Sequence, residues 1–337
     1  MNLNKNRNKI IIIFLIILGI ILVTLSITKG SVKIPIKEVI AILFNQDSVS
    51  KSHKLIILEL RIPRTISAIM VGMSLAISGA VFQTLFKNPL TEPYLLGISS
   101  GAALGVAIAS VFGFVNIIGG IWGTFSFAFV FAILTALLIF TLAGKNRSSL
   151  TILLLSGLAI NFFLSALNSL LLYFNKDKLE NIIYWQMGSF NLSSYEKIIV
   201  TMPIMIILII VLLSKTKELD VLLLSDDTAT SIGLDVKKQR IRLLLITTLL
   251  TSICVGLAGV IGFIGLIIPH IVKLLFGVKH KNVLPLSLYL GAIFTLLCDI
   301  LSRTLISNTE IPIGIITALF GAPFFLYILR KTKVNAL

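Results

Sequence analysis

Long apolar runs separated by short polar breaks recur along the whole chain of 337 residues. Ten runs reach the length of a membrane-crossing helix, at 10–28, 62–86, 94–112, 117–143, 150–174, 196–214, 241–259, 263–278, 283–304 and 312–330. The pattern predicts an all-α polytopic membrane protein with about ten transmembrane helices, forming one transmembrane domain over residues 1–337. The first run, Ile10 to Ile27, follows a basic flank. It exceeds a signal-peptide core and has no small-residue cleavage site after it, so it is expected to remain as the first helix.

Two of the breaks carry unusual residues. "FKNPLTEPYLLG" (86–97) places two prolines, a lysine, an asparagine and a glutamate between two spans. Pro89 and Pro93 stop a helix, and non-helical backbone at membrane depth is tolerated where it lines a cavity. A plain turn and a working break are both open at this point. "LDVLLLSDDTATSIGLDVKKQR" (219–240) is the largest insert on the inner side. Within it Ser225 or Asp226 can cap a short helix, Asp226 and Asp227 suit its positive end, and Gly233 can terminate it. Such a helix could lie idle at the interface or serve as a handle for a soluble motor; the residues alone leave the two readings level.

Composition agrees with the pattern. The chain is 57% hydrophobic and only 13% charged, with a mean hydropathy of +1.04, whereas soluble domains carry about a quarter charged residues. A net charge of +15 does not point to nucleic acid, because the basic residues sit in short segments beside apolar runs, as at an anionic membrane face. Placing both termini in the cytoplasm puts "GKNR" (144–147), "KKQR" (237–240), "KHK" (279–281) and "RKTK" (330–333) inside. The segment 29–64 disagrees: it falls outside, yet holds Lys29, Lys33, Lys37, Lys51, Lys54, Arg61 and Arg64.

Small residues crowd certain spans. Gly97, Gly101 and Gly105 form one row; Gly256, Gly259, Gly262 and Gly265 crowd another segment, and both are expected to pack helices closely. Gly79, Pro89 and Gly97 share their spacing with Gly259, Pro269 and Gly277, a weak hint of an inverted repeat. Cys254 and Cys298 lie in apolar runs and are expected to be buried, inert thiols.

Enzymatic equipment is scarce. Three histidines show no metal-site spacing and no GxxxxGK[ST] occurs, so neither a resident metal, a cofactor nor an ATP-binding P-loop is expected. An intramembrane enzyme therefore lacks a catalytic constellation. A stand-alone ion-coupled carrier needs a deep acidic residue, and the best candidate, Asp299, lies four residues before Arg303 and is expected to pair with it.

The segment 61–105, "RIPRTISAIMVGMSLAISGAVFQTLFKNPLTEPYLLGISSGAALG", resembles the permeases of FecCD-type ABC importers, which carry ferric siderophores, haem or vitamin B12. "YWQMGSF" (184–190), "LLLSDDTATSIGLDV" (222–236), "GFIGLIIPHIVKLLFGVKHKNVLPLS" (262–287) and "CDILSRTLISNTEIPIGIITALFGAPFF" (298–325) match in the family's order, while residues 1–55 match only in hydropathy. The resemblance implies an ABC type II importer permease in the bacterial cell membrane. It also implies a second permease subunit (an identical copy or a close paralogue), two cytoplasmic ATPases and an external substrate-binding protein.

By resemblance, Asn88 and Leu90 narrow the closed pathway at its cytoplasmic mouth. Thr151 matches a second constricting position, though "SLT" departs from the family pattern. Arg61, Arg64 and Arg303 match arginines that receive glutamates of the binding protein; local pairing of Arg61 with Glu59 and of Arg303 with Asp299 is the competing expectation. Residues 220–236, with Ser225, Asp226, Asp227, Ala229 and Gly233, match the segment that couples to the ATPase. His270 also matches, and helix packing is its expected role. The resemblance implies an iron complex as cargo, a ferric siderophore ahead of haem, with the cobalt complex cobalamin as a further alternative.

Overall fold

The apolar runs become helices, and the polar breaks become caps, turns and short surface helices. The computed structural model describes residues 2–30, 32–44, 49–117, 119–143, 150–306 and 309–334. Its helices are α1 (Asn2–Thr28), α2 (Ile36–Leu43), α3 (Lys51–Leu55), α4 (Ile62–Leu85), α5 (Ile98–Val111), α6 (Phe114–Ile117), α7 (Ile121–Leu142), α8 (Leu150–Phe174), α9 (Leu179–Gln186), α10 (Tyr195–Ser214), α11 (Thr216–Leu222), α12 (Asp226–Ser231), α13 (Val236–Ala258), α14 (Ile264–Phe276), α15 (His280–Thr304) and α16 (Ile313–Val334). No strand occurs among the described residues. Seven helices are long and apolar enough to cross a membrane, and α5, α14 and α16 supply three shorter apolar segments. Together they correspond to the ten expected spans. The basic segment at 144–147 lies outside the described residues.

The second span begins earlier than its hydropathy suggests. α3, a π-helical turn (Ile56–Arg61) and α4 form one continuous helix from Lys51 to Leu85, a rod of about 50 Å at 1.5 Å per residue. Charged residues interrupt the apolar pattern here without interrupting the helix. Ser50 caps the rod by accepting the His53 backbone N–H at 3.2 Å. α2 folds back onto it, with Glu38 meeting His53 Nδ1 at 2.6 Å and Ile34, Val39, Ile42 and Ile57 forming a small satellite core.

Burial separates the centre from the periphery. In the most apolar 18 residues of each span, 83% are buried inside the chain for the Lys51–Leu85 helix, against 17% for α8. Leu155, Leu158, Phe162 and Phe163 on α8 are exposed, a face suited to lipid or to another subunit.

Glycines set the close approaches. On α4, a Cβ at Gly72 would collide with the Gly291 carbonyl of α15, and one at Gly79 with the Gly265 backbone of α14. The row Gly97, Gly101 and Gly105 lies against Thr135, Phe131 and Phe127 of α7, as the small-residue spacing predicts. In the second group Gly256 abuts Phe125 and Gly259 the Trp185 carbonyl, while Gly262 faces open space. The Gly–Pro–Gly coincidence does not mark equivalent elements: Pro89 lies in a loop, whereas Pro269 lies inside α14. Cys254 and Cys298 are buried free thiols.

Gly79→Ala should destabilise the protein by about 1–3 kcal/mol, the usual effect of overpacking. Gly262→Ala, with nothing near its Cβ, should be neutral. Thermal unfolding of the two variants in detergent, followed by size-exclusion chromatography, checks the contrast.

Candidate functional site

The two ends of α4 each carry a polar cluster, and the three arginines, Asn88 and the 220–236 segment lie at one or the other.

At the N-terminal end of α4 the three arginines converge. Arg61, Arg64 and Arg303 are all buried, with 4%, 8% and 5% of their surface exposed. Arg61 does not pair with Glu59. Its Nη1 donates to the carbonyls of Ile27 and Thr28 at 2.9 and 2.8 Å, and its Nη2 to that of Val32. It thereby satisfies carbonyls at the C-terminus of α1, where a cation also suits the helix dipole. Arg303 pairs with Asp299 at 2.8 Å, as four-residue spacing on a helix predicts. The same carboxylate also receives Arg64 Nε at 2.8 Å. Arg64 reaches further, to Glu310 at 2.8 Å and to the Asn191 side-chain carbonyl. Asp299 is thus held between two guanidinium groups, Nε of Arg64 and Nη2 of Arg303, each at 2.8 Å. A cavity of about 250 Å³ opens onto this cluster, lined among others by Gly30, Arg61, Arg64, Asn191, Arg303 and Glu310.

At the other end, α4 stops at Leu85 and "KNPL" turns the chain. Lys87 adopts a left-handed conformation (φ 46°). Asn88 is exposed, and its side-chain carbonyl accepts the Leu90 N–H at 2.9 Å, a tight asparagine turn. Leu90 is half-buried. A 3₁₀ turn (Pro93–Leu96) then carries the chain to α5, and Gly97 takes the left-handed cap (φ 66°). The Leu95 carbonyl packs on Gly157 of α8, so α8 reaches this loop. Thr151 is exposed in its first turn.

The 220–236 segment sits beside the same end. Ser225 is the cap, its hydroxyl accepting the Thr228 N–H at 3.2 Å. Gly233 follows the helix at φ 94°. Asp226 is gripped by both Arg240 nitrogens, at 2.8 and 2.7 Å. These hydrogen bonds, with help from Lys87, hold its carboxyl below the usual carboxylate range. Ala229 points inward and is 1% exposed, so it anchors the helix. Asp227 and Ile232 are among the exposed residues of this segment, Ile232 at 61%. Lys237 and Lys238 begin α13 and His280 begins α15, so these basic segments share the end opposite the arginines.

Sequence reasoning missed Lys87, Arg240, Asp220, Glu310 and Asn191. Their partners lie far away in the chain, and no local spacing signals such pairs. His270 packs edge-on against Phe324, with ring centroids 6.2 Å apart, in keeping with a packing role.

A bundle of apolar helices, polar at both ends and broken at one of them by a proline-bearing loop, has the build of a multi-pass membrane protein. Comparison with known proteins sharpens this. The FecCD transport family matches residues 15–331. The chain is 39% identical over 293 residues to the cobalamin import system permease protein BtuC of Halobacterium salinarum, covering 87% of this chain and 78% of that one. It is 35% identical over 322 residues to the hemin transport system permease protein HmuU of Yersinia pestis, covering 95% of each. A solved structure, an inward-facing conformation of a putative metal-chelate type ABC transporter, superposes with a TM-score of 0.83 at 34% identity, covering 95% of this chain and 99% of that one. The chain belongs to the FecCD transport family: it is an ABC importer permease, a transport subunit rather than an enzyme.

Asp299→Asn should leave Arg64 and Arg303 buried without their shared counter-ion and cost about 3–5 kcal/mol. Glu310→Gln should cost about 1 kcal/mol or less, because the Glu310 side chain is 31% exposed and Asp299 still serves Arg64. Thermal unfolding in detergent separates the two.

Proposed function

We propose that this permease works as one of two membrane subunits that import an iron complex, a ferric siderophore before haem, with the cobalt complex cobalamin as the further alternative. Two cytoplasmic ATPases energise it and an external binding protein delivers the cargo. The second subunit is an identical copy or a close paralogue, and both termini lie in the cytoplasm. The observation that carries this reading is the separation of two built ends along one helix. The arginine cavity serves the outside, and the constriction loop with its neighbouring capped helix serves the inside. The hemin and cobalamin permeases and the metal-chelate transporter to which the chain is similar support the cargo class. Asp299 bound between two arginines argues against an ion-coupled carrier.

In this reading Asn88, Leu90 and Thr151 narrow the cytoplasmic mouth. α12 is the coupling helix, with Asp227 and Ile232 facing the ATPase while Ser225, Asp226, Ala229 and Gly233 hold its shape and seat. Arg61, Arg64 and Arg303 form the floor of the docking cavity, where a carboxylate of the binding protein meets guanidinium groups already fixed in place.

Ile232→Glu, on a side chain 61% exposed, should release the ATPase and abolish uptake while leaving the permease in the membrane. Co-purification checks it; an ATPase still bound with full uptake would remove α12 from the contact. Docking should weaken as salt rises, because it depends on screened charges. Affinity of the binding protein for the permease in nanodiscs, measured across a salt series, tests this, and a flat series would exclude the arginine cavity.

A further inference from the structure

One hydrogen-bonded link fastens the proposed constriction loop to α12, a second ties the last turn of α4 to α11 just ahead of α12, and both meet at Thr84. The first is Lys87. Its ammonium donates to the Leu224 carbonyl and lies 3.4 Å from Asp226 Oδ1, the opening residue of α12. Arg240 at the head of α13 clamps the same carboxylate from the other side. The second link runs through His280, which is wholly buried. Its Nε2 meets the Thr84 hydroxyl at 2.6 Å, and its Nδ1 meets Asp220 of α11 at 2.6 Å. Asp220 also accepts the His280 backbone N–H at 2.9 Å, capping α15. The Thr84 carbonyl accepts the Lys87 N–H at 3.2 Å. Thr84 therefore touches both links, one through its side chain and the other through its backbone.

Stability alone does not explain Lys87. An exposed ion pair adds little to folding, and this one is open to water, at 37% and 52% side-chain exposure. Lys87 nevertheless occupies a left-handed backbone conformation at φ 46°, where a side chain is strained and glycine is at ease. A lysine kept at a glycine's position, with its ammonium spent on α12, is a residue held for its reach. Asn88 follows it directly, and Leu90 lies only two residues beyond Asn88.

We propose that Lys87 and His280 are positioning residues that tie the constriction loop to the coupling segment, so that displacement of α12 moves Asn88 and Leu90 with it. The inference rests on the reading of α12 as the ATPase contact and adds the residues through which movement passes. One element then has two arrangements that the motor biases, which is what energetic coupling between distant sites requires.

The test uses the full complex of permease and ATPase in inside-out vesicles and needs no cargo. Leu90→Cys is labelled with a membrane-impermeant maleimide before and after trapping with ATP and vanadate, and ATP hydrolysis is measured in parallel. The change in labelling rate on trapping should fall about tenfold in Lys87→Gly, in the range of ordinary coupling energies, while the ATPase stays bound and hydrolyses ATP. Lys87→Arg, which keeps a long cation, should retain the change. A purely conformational role predicts the opposite order, because glycine relieves the strained backbone and arginine does not. His280→Phe, which keeps a ring but makes neither hydrogen bond, should behave like Lys87→Gly. An unaltered change on trapping in Lys87→Gly, with ATPase bound and active, overturns the link and leaves the proposed function standing. A parent permease that binds no ATPase overturns both.

Discussion

Everything in this permease hangs on how closely α4 can approach its neighbours. Gly72 against Gly291 and Gly79 against Gly265 bring three helix backbones together without intervening side chains. In a membrane, where lipid tails are as apolar as leucine, such contacts replace the hydrophobic drive that packs soluble cores. They fix α4 against α15 and α14 at mid-length. Its two ends are then free to carry chemistry.

The chemistry at those ends is of two kinds. At the arginine end every guanidinium is buried and hydrogen-bonded, and Asp299 sits between two of them. Burying so many charges is costly unless each is paired and hydrogen-bonded, so this end is a rigid surface with its donors already aimed. At the loop end the contacts are fewer and wetter: a left-handed lysine, an asparagine turn and an exposed ion pair. Segments with few buried contacts open at low free energy, and elements that move are drawn from them. On the proposed function, a rigid end and a looser one suit a permease that accepts cargo outside and opens inside.

How much of this the sequence discloses depends on the range of each interaction. The spans follow from hydropathy, the row at Gly97, Gly101 and Gly105 from four-residue spacing, and the Asp299–Arg303 pair from the same rule. The helical extension from Lys51 to Arg61 escapes, because its charges lie outside the apolar pattern while its backbone continues the helix. Arg61 illustrates the limit best: Glu59 is near in sequence, yet its bonds go to Ile27, Thr28 and Val32. Thr84, Asp220 and His280 look ordinary one at a time, and only the fold brings them together. Ala229 sits in the segment proposed to couple to the ATPase, but whether it faces outward or into the core depends on how α12 is seated. The core is its answer, at 1% exposure.

On the proposed function, ATP and no ion gradient drives an iron complex through this pathway. Radioiron accumulation decides it, in proteoliposomes holding the permease with its ATPase and supplied outside with binding protein and ferric siderophore. Accumulation is expected when ATP is sealed inside, unchanged when proton and sodium gradients are collapsed. Accumulation that follows an imposed ion gradient without ATP would contradict it.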